Sequence, residues 1–570
     1  MSGAGYFQRP IASRPRELAW VAWPALLALL IAGPWFASGY FFATDFPGPR
    51  RISFPNVISS STPLEAALAI LAAAVSAQVA AKVLILGALF GAALAAYRGL
   101  PTGGFVPRAV ASTVYLMNPF VYGRLQYGHL FLLAGYALLP WTASCLRQIV
   151  QRPSRRGAII AAAATALLGM LEVQLLIPLA VLSVVAVITG LVSNRQNWRY
   201  VRDLFASLAL ALLLVATASS YWLIPLLLGS GLEARTIAAT GQADVNAYSA
   251  VGDPRLGLLP NLLGLYGFWA EANGRFTSMK DFVPLWPIAL GALLAAAAIG
   301  MVAVLRQHSS SRFEGARPWV TALLIASAVG LVFEIGVSDS HVAPMIRWLD
   351  DLVPPFRGLR DAGKWAALLA LVYSQLVPLG VIVLLHWVRL AFKGGVVADV
   401  AQPLLVGLAL ALPIYYGNGL LFGMHREIQV SQYPAGWYAA DQEVSSGQPA
   451  GRVLFLPWHL YMSLSFVRNQ DDVVASPASA FFSAPIIVSH DPEIAGVSPP
   501  SDSDQVAIDK LVSGAAASDW ATGLAERQVK YVLLAREADW QQYSYLDHQK
   551  GIARVGDYGS IIVYRTEPIP

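Results

Sequence analysis

Long apolar stretches separated by short polar loops fill the first 420 residues of the chain. A helix needs roughly 20 apolar residues to cross a bilayer, so these stretches predict membrane-spanning helices. Eleven spans are expected, near 17–40, 82–97, 108–122, 129–146, 157–172, 173–192, 204–227, 284–305, 318–336, 363–388 and 400–420. A further apolar stretch, 64–80, is expected to lie along the membrane surface before the second span.

The pattern changes after residue 420. Strand-like apolar runs at 452–457, 529–534 and 560–565 alternate with a helical stretch over 502–528. This alternation predicts a small α/β domain over 421–570, which is about the usual size for one domain. The predicted fold class is therefore a polytopic α-helical membrane protein of about 11 spans (1–420) with a C-terminal α/β domain.

The composition supports a membrane protein and excludes several other classes. The chain is 56% hydrophobic and only 13% charged, whereas soluble domains carry about 25% charged residues. The single cysteine, Cys145, cannot form a disulfide framework or a cysteine-based zinc site within one chain. The net charge of +5 comes from basic residues scattered through short loops, so no nucleic-acid partner is expected.

The loop charges predict the orientation of the spans. Arginines in alternate short loops, among them Arg98, Arg147, Arg195 and Arg306, all fall on the side of the N-terminus. Positively charged loops stay in the cytoplasm, so the N-terminus is expected to be cytoplasmic and the C-terminal domain extracytoplasmic. The opposite loops are longer, and we expect function on that outer face. These outer loops are 41–63, 228–283 and 337–362.

Asp45 lies in the first outer loop, directly after an aromatic stretch typical of the membrane interface. Pro47, Pro49 and Pro55 keep the following segment out of a long helix. A carboxylate at this depth suits chemistry better than packing, so Asp45 is a candidate catalytic residue. In the alternative interpretation, Asp45 caps an interfacial helix or pairs with Arg50.

Three further ionisable residues are expected near the outer ends of spans, where such groups are candidates for function. Arg124 and His129 belong to the turn between two spans, and Glu172 lies at the turn of an apolar hairpin. Arg124 could instead reach lipid phosphates and His129 could cap a helix. Glu172 could line a cavity, hold a cation, pair with Arg124 or simply end a helix in water.

A cationic segment precedes the span at 363–388, on the outer side, where basic residues are not expected. Arg357, Arg360 and Lys364 could clamp a phosphate or pyrophosphate, with arginine as a bidentate fork. In a helix, Arg360 and Lys364 would share one face. Binding of lipid headgroups is the alternative. The loop 228–283 adds aromatic residues beside carboxylates such as Glu271, a weaker signal for a sugar.

The first-loop acid, the turn N-P-F-V-Y-x-R-L-x-x-G-H (118–129) and the segment F-R-x-x-R-D-x-x-K-W (356–365) resemble one family. They are similar to the GT-C superfamily of membrane glycosyltransferases. The nearest groups are arabinofuranosyltransferase-like and YfhO-like proteins that carry a trailing soluble domain. The resemblance extends over about 17–420 and over short pieces of the C-terminal domain, and it does not identify the sugar.

The resemblance implies transfer of a sugar from a polyprenyl-phosphate carrier to an acceptor on the outer face. Asp45 would act as general base, while Arg357, Arg360 and Lys364, helped by Arg124, would bind the phosphate. The expected partners are membrane lipid, the polyprenyl-phosphate sugar and a glycan, glycolipid or glycoprotein acceptor. No cofactor is required by this chemistry, and no metal site is predicted, although Asp350-Asp351 leave a small chance of a divalent ion.

One departure from the family leaves the catalytic set open. Many members carry two adjacent acids in the first outer loop, whereas Asp45 follows Thr44. Glu271, Asp281 or Glu172 could supply the second acid, one acid could suffice, or catalysis could be lost. A lipid or glycolipid transporter and a non-catalytic scaffold in envelope glycan assembly are therefore the alternative functions.

Overall fold

The computed structural model describes residues 14–100, 104–272, 276–306, 316–392, 395–446, 451–468, 473–494, 497 and 502–567. Helices dominate the first 420 residues. They are α1 (Arg14–Ala32), α2 (Thr62–Ala74), α3 (Ala77–Gly99), α4 (Phe105–Leu116), α5 (Pro119–Tyr127), α6 (Leu130–Gln151), α7 (Arg155–Leu171), α8 (Leu176–Ser193), α9 (Trp198–Ala218), α10 (Ser220–Leu227), α11 (Gly231–Ala239), α12 (Gln242–Ala247), α13 (Leu258–Leu263), α14 (Trp286–Arg306), α15 (Ala316–Ile335), α16 (Ala343–Leu352), α17 (Ala366–Ala391) and α18 (Val396–Tyr416).

Eight helices among the described residues are long and apolar enough to cross a membrane. They are Ala77–Gly99, Leu130–Gln151, Val173–Ser193, Trp198–Ala218, Trp286–Arg306, Ala316–Ser338, Ala362–Ala391 and Val396–Tyr416. An integral membrane protein is therefore confirmed, whereas the count of about eleven spans is not. The first predicted span is a shorter apolar helix, Trp20–Phe36, and α7 has 17 residues.

The predicted span at 108–122 is wrong, because the chain breaks there into α4 and α5. Pro119 has no amide hydrogen to continue the first helix. Asn118 starts the second helix, since its side chain accepts a hydrogen bond of 3.1 Å from the Val121 amide. The predicted boundary between the surface helix 64–80 and the next span also moves, to Val75–Ser76, where the Ser76 hydroxyl caps α3.

The C-terminal part is built on a five-stranded mixed sheet, as the α/β prediction expects. Its strands, in the order in which they lie in the sheet, are β6 (Ile486–Ile487), β3 (Arg452–Leu456), β7 (Val529–Ala535), β9 (Ile561–Thr566) and β8 (Ile552–Asp557). Strands β6, β3 and β7 run parallel to one another. Strand β9 runs antiparallel to its two neighbours, β7 and β8. A separate short pair, β4 (Tyr461–Met462) and β5 (Val474–Ala475), lies beyond the end of β3. Four helices, α19 (Ala435–Ser446), α20 (Ala478–Phe481), α21 (Ser503–Gly514) and α22 (Trp520–Ala525), complete it.

A short hairpin in the first outer loop joins the helical part to the C-terminal domain. Its strands β1 (Phe42–Ala43) and β2 (Phe46–Pro47) flank a two-residue turn, Thr44-Asp45. Successive strand residues point to opposite faces. Phe41 and Ala43 accordingly belong to the core of the helical part, whereas Phe42 packs in the core of the C-terminal domain. The hairpin is thus anchored on both sides.

Candidate active site

Asp45 occupies the tip of this hairpin, and three groups hold it there. Its amide donates a 2.8 Å hydrogen bond to the Tyr127 carbonyl at the end of α5. Its Oδ2 lies 2.8 Å from His129 Nε2, and its Oδ1 accepts a 2.6 Å hydrogen bond from the Tyr461 hydroxyl. The alternative pairing of Asp45 with Arg50 is wrong, because Arg50 binds Asp441 at 2.7 Å.

A hydrogen-bonded chain runs inward from Asp45 through His129 to Arg124. His129 Nδ1 lies 3.2 Å from Arg124 Nη1. A guanidinium can only donate, so we assign Nδ1 as the acceptor and place the imidazole proton on Nε2. His129 therefore donates its Nε2 proton to Asp45 Oδ2.

Arg124 is buried, with only 1% of its surface exposed, and it is neutralised by Asp361. Two bonds, of 2.5 and 3.1 Å, join the guanidinium to the two carboxylate oxygens. Burial opposes ionisation of Asp361, but the Arg124 charge outweighs it and lowers the pKa of that carboxyl below its usual value. Phe268 covers the guanidinium face at 4.4 Å. Glu172, one expected partner of Arg124, instead lies 4.0 Å from Lys364 Nζ.

The three cations of the predicted clamp each have a partner on a different element. Arg360 Nη1 lies 3.3 Å from an Asp244 oxygen, Arg357 Nε lies 3.3 Å from an Asp350 oxygen, and Lys364 binds Gln174. A shared face for Arg360 and Lys364 required a helix, and this segment instead forms 3₁₀ turns at Pro354–Leu359 and Ala362–Trp365. Arg360 has the most exposed side chain of the three, at 37%.

A cluster of aromatic rings lies beside His129, the partner of Asp45. The Tyr127 ring lies 5.7 Å from His129 and 5.1 Å from Trp269. Tyr248 packs edge to face on Trp269 at 4.8 Å, and the Arg360 guanidinium lies 4.9 Å from the centre of the Tyr248 ring. Rings in this arrangement suit the apolar faces of a sugar.

Glu271, the second predicted catalytic acid, belongs to a different cluster. Its carboxylate accepts a 3.0 Å bond from the Gly267 amide and lies 3.8 Å from Lys280 Nζ. Burial raises the pKa of Glu271, which Lys280 only partly offsets. A catalytic role for Glu271 remains a prediction. Within the described ranges, no three histidine, cysteine, aspartate or glutamate side chains are grouped as metal ligands would be.

Comparison with solved structures identifies the fold. Arabinofuranosyltransferase AftD from Mycobacteria aligns with a TM-score of 0.60 at 16% identity, over 100% of this chain and 41% of AftD. The chain has the GT-C fold. A point mutant of AftD aligns with a TM-score of 0.61 at 16% identity, over 98% of this chain and 42% of that one. ArnT from Cupriavidus metallidurans bound to undecaprenyl phosphate matches more loosely, with a TM-score of 0.43 at 13% identity, over 97% of this chain and 98% of ArnT.

The chain spans about two-fifths of the length of AftD. No protein-family model and no curated protein sequence matches it. The structural alignment with AftD confirms, at the level of the fold, the GT-C resemblance drawn from the sequence motifs.

Two residues of this candidate site were not among the predicted site residues. Asp361 stands inside the quoted motif at 356–365, and its acidic character beside three cations was the available signal. Tyr461 lies in the C-terminal domain, 416 positions from Asp45. The sequence around it carries no signal that links it to the first outer loop.

Gly128 is expected to be essential for the placement of Asp45. It has a left-handed φ of +82°, and an added Cβ would lie 2.8 Å from Phe46 Cβ and 3.0 Å from Ala43 Cβ. Gly128→Ala should lower the free energy of unfolding by about 2–4 kcal/mol, through backbone strain and overpacking. It should also reduce activity at least about tenfold, because it pushes the hairpin away from α5. Chemical unfolding and a turnover assay check both effects.

Gly229→Ala is the matched control for this substitution. Gly229 also has a left-handed φ, +69°, but an added Cβ there would meet nothing within 4 Å. It should therefore cost only the backbone strain, about 1 kcal/mol. Equal losses of stability and activity in the two variants would contradict the argument from contact with the hairpin.

Proposed function

We propose that the protein is a glycosyltransferase that moves a sugar from a polyprenyl-phosphate carrier to an acceptor on the extracytoplasmic face. The observation that carries this proposal is Asp45, held by His129 and Tyr461 beside the cluster of aromatic rings. The N-terminus is proposed to be cytoplasmic and the C-terminal domain extracytoplasmic, from the loop charges.

In the proposed reaction, Asp45 acts as general base. The acceptor hydroxyl attacks the anomeric carbon and gives its proton to the Asp45 carboxylate. The bond between the anomeric carbon and the phosphate oxygen breaks, and the polyprenyl phosphate leaves with the bonding electron pair. The product is the glycosylated acceptor, which is a glycan, a glycolipid or a glycoprotein in this proposal.

The departing phosphate needs positive charge close to the sugar. Arg360 suits this role best, because it is the most exposed of the three predicted clamp cations and contacts Tyr248 in the aromatic cluster. Asp244, its partner at 3.3 Å, would share the guanidinium with the phosphate. Arg357 and Lys364 would add positive charge to the surroundings of the phosphate. Arg124 would contribute less to phosphate binding, because its charge is neutralised by Asp361.

The test uses the full-length protein in nanodiscs with a panel of short polyprenyl-phosphate sugars and extracted envelope glycans. Transfer of label from one donor to an acceptor, with release of polyprenyl phosphate, is the expected result. Cryo-EM with polyprenyl phosphate should place the phosphate beside Arg360. Failure to transfer or hydrolyse any of these donors would overturn the proposal, and phosphate density remote from Arg360 would overturn the assigned clamp.

A further inference from the structure

Tyr461 brings the C-terminal domain into direct hydrogen-bonding contact with Asp45. Its hydroxyl lies 2.6 Å from Asp45 Oδ1. Burial, together with the adjacent Asp45 carboxylate, raises the pKa of the Tyr461 phenol above its usual value. The phenol therefore keeps its proton at neutral pH and donates it in this hydrogen bond.

The position of Tyr461 is set by the same strands that hold the hairpin. Tyr461 on β4 pairs with Ala475 on β5. The Ala475 amide in turn donates a 2.8 Å hydrogen bond to the carbonyl of Thr44, the residue before Asp45. The tyrosine and the carboxylate are thus fixed relative to one another through backbone hydrogen bonds.

We propose that Tyr461 is a positioning residue through which the C-terminal domain orients Asp45 for proton transfer. The proposal rests on the proposed function. Tyr461 occupies Oδ1 while His129 occupies Oδ2, so the plane of the carboxylate is fixed. Each oxygen keeps a further lone-pair site, and the acceptor hydroxyl can approach there without displacing either donor.

Further polar and charged groups lie around the Asp45 carboxylate. Tyr248 lies within electrostatic range at the end of α12, and charges on neighbouring described elements include Arg124, Asp361, Arg360 and Asp244. Tyr461→Phe leaves all of these in place and removes only the hydroxyl.

The expected result for Tyr461→Phe is a loss of kcat with little change in KM. Without the Tyr461 hydroxyl the Asp45 carboxylate loses its fixed orientation, so kcat for transfer should fall about tenfold, with a smaller change in the acceptor KM. A wild-type kcat in this variant would overturn the proposal.

Tyr433→Phe separates orientation of Asp45 from simple docking of the domain. The Tyr433 hydroxyl donates a 2.8 Å hydrogen bond to the Gly48 carbonyl, just after the hairpin. It therefore joins the same domain to the same loop without contacting Asp45. We expect kcat to stay within about twofold of the wild-type value in Tyr433→Phe, and an equal fall of kcat in both variants would overturn the positioning role.

A measurement without substrate distinguishes this proposal from the proposed function. The difference between infrared spectra of the wild-type protein and Asp45→Asn isolates the carboxyl stretching band of Asp45. In the Tyr461→Phe background that band should change in frequency, because one carboxyl oxygen loses its hydrogen bond, whereas Tyr433→Phe should leave it in place. An unchanged frequency in Tyr461→Phe would overturn the role of Tyr461, whereas a changed frequency in a protein that transfers no sugar would count against the transferase alone.

Discussion

Asp45→Asn is expected to reduce the rate of sugar transfer by a factor of roughly 10²–10⁴, the usual contribution of a general base. An amide cannot accept the proton of the acceptor hydroxyl, but it nearly matches the shape of the carboxylate. Its oxygen can accept from His129 Nε2 and its NH₂ can donate to the Tyr461 oxygen, so the local structure should persist. Single-turnover transfer from a polyprenyl-phosphate sugar is the measurement.

Asp441→Asn is the control for this loss of charge. Asp441 binds Arg50, a residue that follows the hairpin closely in sequence, at 2.7 Å. The described hydrogen bonds of Asp45 go to other residues. The activity of Asp441→Asn should stay within a few-fold of the wild-type value. Full activity in Asp45→Asn would remove Asp45 as the base, and Glu271 would then be the next acid to replace.

The largest loss of stability is expected for Asp361→Asn. Its partner Arg124 has only 2% of its side chain exposed, so the variant leaves a buried guanidinium without a counter-charge. Removing one member of a buried ion pair costs about 3–5 kcal/mol. Denaturant unfolding of the detergent-solubilised protein measures the change in the free energy of unfolding.

Asp203→Asn provides the exposed comparison. Arg202 and Asp203 also form an ion pair, of 2.9 Å, but their side chains are 65% and 49% exposed. Such a pair contributes at most about 1 kcal/mol.

The double variant Arg124→Met, Asp361→Leu tests whether the two side chains act as a pair. It should lose less stability than the sum of its single changes. Additive losses would show that the two side chains do not act as a pair.

The sequence predicts the candidate site residues of the helical part, but it does not predict the contacts among them or the contribution of the C-terminal domain. Asp45, Arg124 and His129 follow from local patterns, because an ionisable residue at the end of an apolar span stands out against its neighbours. The clamp geometry does not follow, since the prolines and glycines of 354–363 make 3₁₀ turns that send Arg360 and Lys364 in different directions.

Long-range contacts explain the remaining differences. The pairing of Arg124 with Asp361 joins residues 237 positions apart. The sequence alone cannot select Asp361 from the several outer-loop carboxylates that could have been the partner of Arg124. The break at Asn118 required recognising that Pro119 begins a helix inside an apolar run. Local hydrophobicity cannot distinguish such a break from a continuous span, so the span count exceeded the eight long apolar helices described.

The double anchoring of the hairpin also has a consequence for synthesis of the protein. Phe42 packs against Tyr433 and Phe466, and Tyr40 forms backbone hydrogen bonds with Ser431. These three partners are translated long after the hairpin itself. With 416 residues separating Asp45 from Tyr461, a ribosome adding 5–20 residues per second takes roughly 20–80 s to supply the last contact. A nascent chain whose helices have already entered the membrane therefore still lacks the assembled candidate site, and we expect truncated products to be inactive.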